Sequence, residues 1–575
     1  MKRLIACAMK QEECDLVIRN VRLLNLFTGD TEEGDLAIAD GKIVGLGKDY
    51  PAKKEIDAHG AYALPGFIDS HIHVESTMLS PEEFALLACA HGTTGIVADP
   101  HELTNVCGIA GAEYLAEAFA RIRKGEISPL DVWLQLPSCV PATPFETSGA
   151  VIDGRETARE LERDCFHGLG EMMNYPAVIA GEEDCLRKLE GAEKLKKVTD
   201  GHAPGVTGDA LNAYACGGIK TDHECLNAQE CREKLARGMY VMLRNGSSAH
   251  NVEENSKAIN AYNYRRFLLC SDDKNAHDLS VCGHMDDALR KLVACGVPAA
   301  EAVAAATLNP AECYGLKGKG ALAPSYDADI VLAEDLVSFR VRAVFKAGEE
   351  IARDGKALFS CEKKYLPDTV RDTVKIKPCR AEDFRLRLKG DRAHAMRMIP
   401  HNLITKNEIV SVQRTTDDVV VKGTDLLKLA VVERHFASGN IGLGLVAGYG
   451  LHGGAIGISV AHDSHNLVIL GDDNADMARV AALLERAGGG MALVCGGEEK
   501  VFPLDIAGLM SSASAEVISE KTAEISRRAK EMGVRDGYEP FMSLAFLALP
   551  VIPELKLTDK GLFDVVNFRL TEIDA

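Results

Sequence analysis

Two histidines set two residues apart at the end of an apolar run are the clearest chemical signal in this chain. They are His71 and His73, in Pro65-Gly66-Phe67-Ile68-Asp69-Ser70-His71-Ile72-His73-Val74-Glu75. Residues i and i+2 of a strand point to the same side, so both imidazoles can meet one metal ion. More nitrogen and oxygen ligands follow downstream, each just after a short apolar run. Glu171 ends Gly168-Leu169-Gly170, His202 lies in Asp200-Gly201-His202, His223 in Thr221-Asp222-His223, and Asp272 in Leu269-Cys270-Ser271-Asp272. Singly, each has an ordinary explanation as a surface histidine or a helix cap. In order, they form a metal-binding set without thiolate, which suits iron, manganese or zinc. Glu75, His101, Glu102, Ser271 and Asp273 stand beside the same run ends and are candidates for touching a substrate. Glu102 could equally cap the following helix, and His101 could approach a further metal position.

Eight apolar runs must position these residues: 66–70, 94–98, 132–136, 168–172, 198–201, 218–221, 239–243 and 267–270. Helical stretches lie between several of them. One starts at Ser80-Pro81-Glu82-Glu83, a capping box with proline at the first helical position. Alternating strand and helix over residues 67–319, about the 250 residues a TIM barrel needs, predicts a parallel (β/α)8 barrel. Its active site would form at the C-terminal ends of the strands, where every candidate ligand falls. Strand-like segments flank this insert. Those at 15–64 and 326–355 have the same texture and predict a composite β-sandwich built from 1–66 and 320–360. Residues 361–400 lose periodicity and read as a linker. Residues 401–575 mix strands with a helix near 476–487 and read as a C-terminal α+β domain.

Composition limits the function classes. The 575 residues are 46% hydrophobic and 26% charged, with a net charge of −20. That charge disfavours broad binding to nucleic acid phosphates or anionic membranes. The 17 cysteines form no C-x-x-C pair, which points to reduced thiols and excludes the P-C-x-x-C zinc signature of cytidine deaminases. The first apolar run stops at Lys10, too short for a signal peptide, and no run approaches a transmembrane length. A soluble cytoplasmic protein is expected.

The ordered ligand set resembles the amidohydrolase superfamily. In its binuclear members strand one gives the His-x-His pair, strand four a bridging carboxylate, strands five and six one His each, and strand eight an Asp. The stretch Ala305-Ala306-Thr307-Leu308-Asn309-Pro310-Ala311 and the split β-sandwich are similar to that superfamily too. Three motifs narrow the likeness to bacterial adenine deaminases: His73-Val74-Glu75-Ser76-Thr77-Met78, Ala98-Asp99-Pro100-His101-Glu102 and Gly170-Glu171-Met172-Met173-Asn174. The C-terminal runs Ser459-Val460-Ala461-His462-Asp463-Ser464-His465-Asn466 and Gly471-Asp472-Asp473-Asn474-Ala475-Asp476-Met477 extend it over nearly the whole chain.

The resemblance implies a TIM (β/α)8 barrel and two divalent metal ions, manganese or iron before zinc. His71, His73, Glu171, His202, His223 and Asp272 would be the ligands. It also implies hydrolytic deamination of adenine to hypoxanthine and ammonia, by a metal-bridged hydroxide attacking C6. Glu171 takes the place that a carboxylated Lys holds in many superfamily members, and Asp272 would move the proton. Adenine would be the small-molecule partner, and a homo-oligomer, a dimer first, is expected. A cyclic amidase of the dihydroorotase or hydantoinase type and a non-catalytic scaffold are the alternatives. The first often needs the carboxylated Lys, and the second would usually have lost ligands. His462, Asp463 and His465 could ligate a metal or reach into the barrel mouth, but a hydrogen-bonded turn or a lid is favoured. Gly448-x-Gly450-x-x-Gly453 matches a dinucleotide fingerprint, yet strand-like Ile456-Gly457-Ile458 follows it, so tight turns are expected there.

Overall fold

The computed structural model describes residues 1–247, 249–361 and 364–575; Glu362 and Lys363 of the expected linker lie outside them. Eight short parallel strands surround the ligand set. They are β1 (Phe67–Ile72), β2 (Thr93–Ala98), β3 (Asp131–Leu136), β4 (Phe166–Met172), β5 (Val198–Gly201), β6 (Thr221–Asp222), β7 (Tyr240–Arg244) and β8 (Phe267–Cys270). β1 to β5 pair in sequence order, and so do β6 to β8. Backbone bonds join the two arcs at both seams. Lys220 N–H donates to the Thr199 carbonyl at 2.9 Å, and Asp272 N–H donates to the His71 carbonyl at 2.9 Å. The strands lie on the eight apolar runs of the sequence. Strands covered on both faces need no polar alternation, and β1, β2, β7 and β8 are buried throughout.

Helices cover the barrel. The helix Pro81–Ala90 starts as its sequence predicts, with Ser80 Oγ accepting from Glu83 N–H at 3.4 Å. The flanking segments zip into one nine-stranded sheet, in which Tyr62–Pro65 pairs antiparallel with Ile330–Ala333. One apolar cluster, including Leu16, Ile18, Leu36, Ile330 and Phe345, draws on both segments. The two segments meet a second time where Ile43 N–H donates to the Tyr326 carbonyl at 2.9 Å.

The described part of the expected linker, 364–400, is not free chain. Val374, Ile376 and Phe384 are buried against the C-terminal sheet, and Arg392–Met398 is one of its strands. Its apolar residues are too widely spaced to show a period, yet Val374, Ile376 and Phe384 pack against a surface made by later residues. That sheet has eight strands, with the helix Asn474–Ala487 packed on one face. Gly448, Gly450 and Gly453 all have positive φ in the connection between its strands Ile441–Ala447 and Gly454–Ile458. They are turn glycines, with no helix following.

The C-terminal domain docks beside the barrel mouth. Ser511 N–H donates to the Met78 carbonyl at 2.8 Å, and Asn466 Nδ2 to the Thr147 carbonyl at 2.9 Å. Thr147 Oγ1 donates to Asp559 at 2.6 Å. A crevice of about 460 Å³ remains between the loops after β1 and β8 and the helix Ala515–Glu531, lined by Thr77, Asn275, His277, Ile518 and Met542 among others.

Candidate active site

His71 and His73 leave the end of β1 with their Nε2 atoms 3.3 Å apart. The strand's pairing with β2 is irregular between Asp69 and Ile72, where these side chains turn inward. Asp272 closes the other side. Its φ is +56°, a left-handed conformation that Asp tolerates better than most residues. Its backbone brackets the end of β1, donating to the His71 carbonyl and accepting from His73 N–H at 3.4 Å. Its Oδ1 thereby lies 3.4 Å from His71 Nε2 and 3.2 Å from His73 Nε2. Glu171, from the end of β4, completes the group with Oε1 3.2 Å from His73 Nε2.

The second half of the cluster shares Glu171. Its Oε2 lies 2.8 Å from His202 Nδ1 and 3.2 Å from His223 Nε2, and those two nitrogens are 3.2 Å apart. The His71 and His223 rings stack with centroids 4.4 Å apart. The structure therefore brings all six expected ligands into one cluster, buried except for half-buried His202.

The donor set fits divalent cations. His73 Nδ1 lies 2.9 Å from the Asp99 carbonyl, which can only accept, so Nδ1 carries the proton and Nε2 keeps its lone pair. A metal-ligating imidazole is oriented in this way. Four side chains then aim lone pairs or negative charge at one another across about 3 Å, an arrangement that is repulsive unless cations or protons lie between them. The electrostatics agree. Burial opposes charge on His73, but hydrogen bonding to Asp272 and Glu171 outweighs it and holds the ring's pKa well above 6.5. Burial likewise opposes charge on His223, yet Glu171 and Asp272 push it up to about 9. Glu171 and Asp272 are held well below their usual values against burial, Glu171 chiefly by His202 and Asp272 chiefly by Arg244. Without metal, the cluster takes up protons in its place.

The five residues expected near a substrate separate. Glu75 accepts from Leu103 N–H at 3.1 Å through Oε1, while its buried Oε2 has no partner among the described residues and burial pushes its pKa up to about 7. His101 sits edge-on to His73, with centroids 5.9 Å apart. Glu102 lies in the first turn of the helix His101–Cys107 but turns to the C-terminal domain, 2.7 Å from His462 Nδ1 and hydrogen-bonded to His465 Nε2. Ser271 turns away from the cluster, since its N–H and hydroxyl both bond Asp69 of β1. Asp273 accepts from Ser76 Oγ at 2.6 Å and from Arg244 at 3.0 Å.

Two supporting residues were not expected from the sequence. Arg244, at the end of β7, reaches Asp272 at 2.5 Å and also pairs with Glu224 and Asp273. Asp99, after β2, orients His73 through its carbonyl and accepts Glu171 N–H at 3.0 Å through its carboxylate. Each stands at a strand end, which was the one available signal. Arg244 has no near neighbour in sequence to mark it as part of a ligand set, whereas Asp99 stands two residues before the candidate His101.

Residues 62–351 match the amidohydrolase family, and residues 402–569 match the adenine deaminase C-terminal domain. The chain is 46% identical to adenine deaminase 2 of Desulfotalea psychrophila, covering 100% of this chain and 99% of that protein. It is 46% identical to an adenine deaminase of Nitratidesulfovibrio vulgaris, covering 99% and 98%. It is 44% identical to the adenine deaminase of Clostridium acetobutylicum, covering 98% of each. A barrel with this ligand order, joined to this C-terminal domain and alike from end to end, belongs to the adenine deaminase family of the amidohydrolases.

Proposed function

We propose that this protein hydrolyses adenine to hypoxanthine and ammonia at the six-residue cluster. Full-length likeness to adenine deaminases supports the reaction, and the amidohydrolase barrel implies divalent metal. The observation that carries the reading is Glu171, whose two oxygens face separate groups of imidazoles. His71, His73, Asp272 and Glu171 would hold one ion, and Glu171, His202 and His223 the other. These nitrogen and oxygen donors suit manganese, iron or zinc, and the family resemblance puts manganese or iron first. When bound, such ions lower the pKa of water and withdraw charge from a ring nitrogen or oxygen.

The chain's own groups do the rest. Asp272, beside His71 and His73, would accept the proton of the nucleophilic water while its oxygen attacks C6. It then returns the proton toward the ring or the leaving amine, so water and adenine become hypoxanthine and ammonia with atoms balanced. Arg244 fixes the carboxylate's rotation by holding one side of it. Glu75 Oε2, buried and without a partner among the described residues, is placed to meet a ring nitrogen. Burial of the cluster keeps bulk water from competing with these contacts. The test is ammonia release from adenine by protein loaded with manganese under iron limitation, beside a panel of cyclic amides. Turnover of adenine alone supports the proposal, and turnover of a cyclic amide alone refutes it.

A further inference from the structure

We propose that the C-terminal domain builds part of the adenine site, with Asp463 and His462 facing the substrate and Glu102 clamping them in place. The proposal rests on the deaminase reading above. Its first support is the way Glu102 is used. One of its oxygens lies 2.7 Å from His462 Nδ1, and the other is hydrogen-bonded to His465 Nε2. Ala461 N–H donates to His465 Nδ1 at 3.0 Å. That nitrogen must therefore be the acceptor of the ring, and the proton sits on Nε2. Nε2 then donates to Glu102 and has no lone pair for a cation. Glu102, His462 and His465 are buried. They form a hydrogen-bonded clamp between the barrel helix His101–Cys107 and the C-terminal turn, and not a third metal centre.

The second support is what the clamp presents. Asp463 lies beside His462 and brings Oδ2 to 3.4 Å from His101 Nε2. His101 in turn lies edge-on to His73 of the ligand cluster. Asp463 is thus one side chain away from the ligand cluster. The ring of His462 is held flat against Phe546, with centroids 4.8 Å apart and planes 23° apart.

The third support is unmet hydrogen bonding. Among the described residues, His101 Nδ1, His462 Nε2 and Glu75 Oε2 are buried without a hydrogen-bond partner, and His101 Nε2 and Asp463 Oδ2 meet only each other, across a long 3.4 Å contact. Buried polar atoms are nearly always paired, so a cluster of unpaired ones marks a place where a partner binds. The group mixes acceptors with nitrogens that can donate or accept. A simple ion would satisfy only one kind. A purine presents ring nitrogens that accept and an imidazole N–H that donates, and it matches both. Asp463 takes the imidazole N–H of adenine, and His462, donating to Glu102 through Nδ1, donates through Nε2 to a ring nitrogen as the imidazolium that the Glu102 carboxylate favours.

Asp463→Ala, Asp463→Asn, His462→Gln and Glu102→Gln test this in the metal-loaded full-length protein. The measurements are KM and kcat for adenine, the Kd of hypoxanthine by calorimetry, metal per chain and the thermal midpoint. A lost charge-assisted hydrogen bond in a buried site corresponds to at least a tenfold change. The Asp463 variants should raise KM and Kd tenfold or more, lower kcat less, and keep two ions per chain. His462→Gln and Glu102→Gln should move KM and Kd in the same direction. Unchanged KM and Kd in folded Asp463→Ala overturns the proposal, and so does loss of a metal equivalent in Glu102→Gln. Where the Asp463 variants do not fold, His462→Gln decides by the same criterion. If the wild type releases no ammonia from adenine, the deaminase reading fails. If it does and the variants bind as tightly, only the present proposal fails.

Discussion

Glu171→Gln is the substitution that probes the cluster hardest. Glu171 places one oxygen 3.2 Å from His73 Nε2, and the other 2.8 Å from His202 Nδ1 and 3.2 Å from His223 Nε2. Gln keeps the volume and the backbone bond to Asp99. It removes the charge and turns an NH2 donor toward imidazoles whose lone pairs are needed for metal. Removing one charged partner from a buried set costs about 3–5 kcal/mol. At about 1.4 kcal/mol per decade, that is about two to three and a half decades of metal affinity. Because the carboxylate serves both groups, both ions should weaken together. His202→Ala, on one side only, should weaken a single ion. The assay is metal per chain by mass spectrometry after equilibration in chelator-buffered manganese, for wild type and both variants. Two ions held by Glu171→Gln at wild-type affinity would refute the shared ligand, as would loss of the same single ion as in His202→Ala.

Other expectations follow from the surrounding charges. Arg244→Met takes from Glu224, Asp272 and Asp273 the one guanidinium they share; it should destabilise the protein by about 3–5 kcal/mol, seen as a lower denaturant midpoint. An unchanged midpoint would mean that the guanidinium does not hold the site together. Lys556 is buried with a single bond, to the Leu403 carbonyl at 2.9 Å, and burial lowers its pKa from 10.5 to about 7. Between those values the unfolded chain binds the extra proton, so this group's contribution makes stability rise with pH from about 7 to 10.5. Lys556→Met should remove that rise and stabilise the protein at neutral pH, as denaturation at a series of pH values would show; a stability profile parallel to wild type would contradict it.

Much of the barrel and its cluster is legible in the sequence because local rules carry it. The doubly covered strands leave apolar runs, Ser80 and Glu83 mark a helix start, and His71 and His73 share a side by strand parity. Glu171, His202, His223 and Asp272 are legible because barrel geometry collects strand ends. The spacing rules do not reach pairings across hundreds of residues. Glu102 looks like a helix cap or a substrate contact from its neighbours. Its partners, His462 and His465, lie about 360 residues later. Ser271 follows a strand as Asp272 does, but the bonds it makes to Asp69 turn it away. Arg244 ends a strand as part of an apolar run and becomes a counter-ion only when β7 and β8 lie side by side. The stretch 361–400 carries scattered apolar residues whose burial depends on a sheet formed by later chain.

The most direct test of the central claim is steady-state turnover of adenine by wild type and Asp272→Asn, each carrying two manganese ions per chain. The account predicts one ammonia for each hypoxanthine in the wild type. In the variant it predicts a kcat lower by about 10²–10⁴-fold, the range for a lost proton-transfer group. Wild-type turnover by Asp272→Asn, or no ammonia from fully loaded wild type, would contradict it.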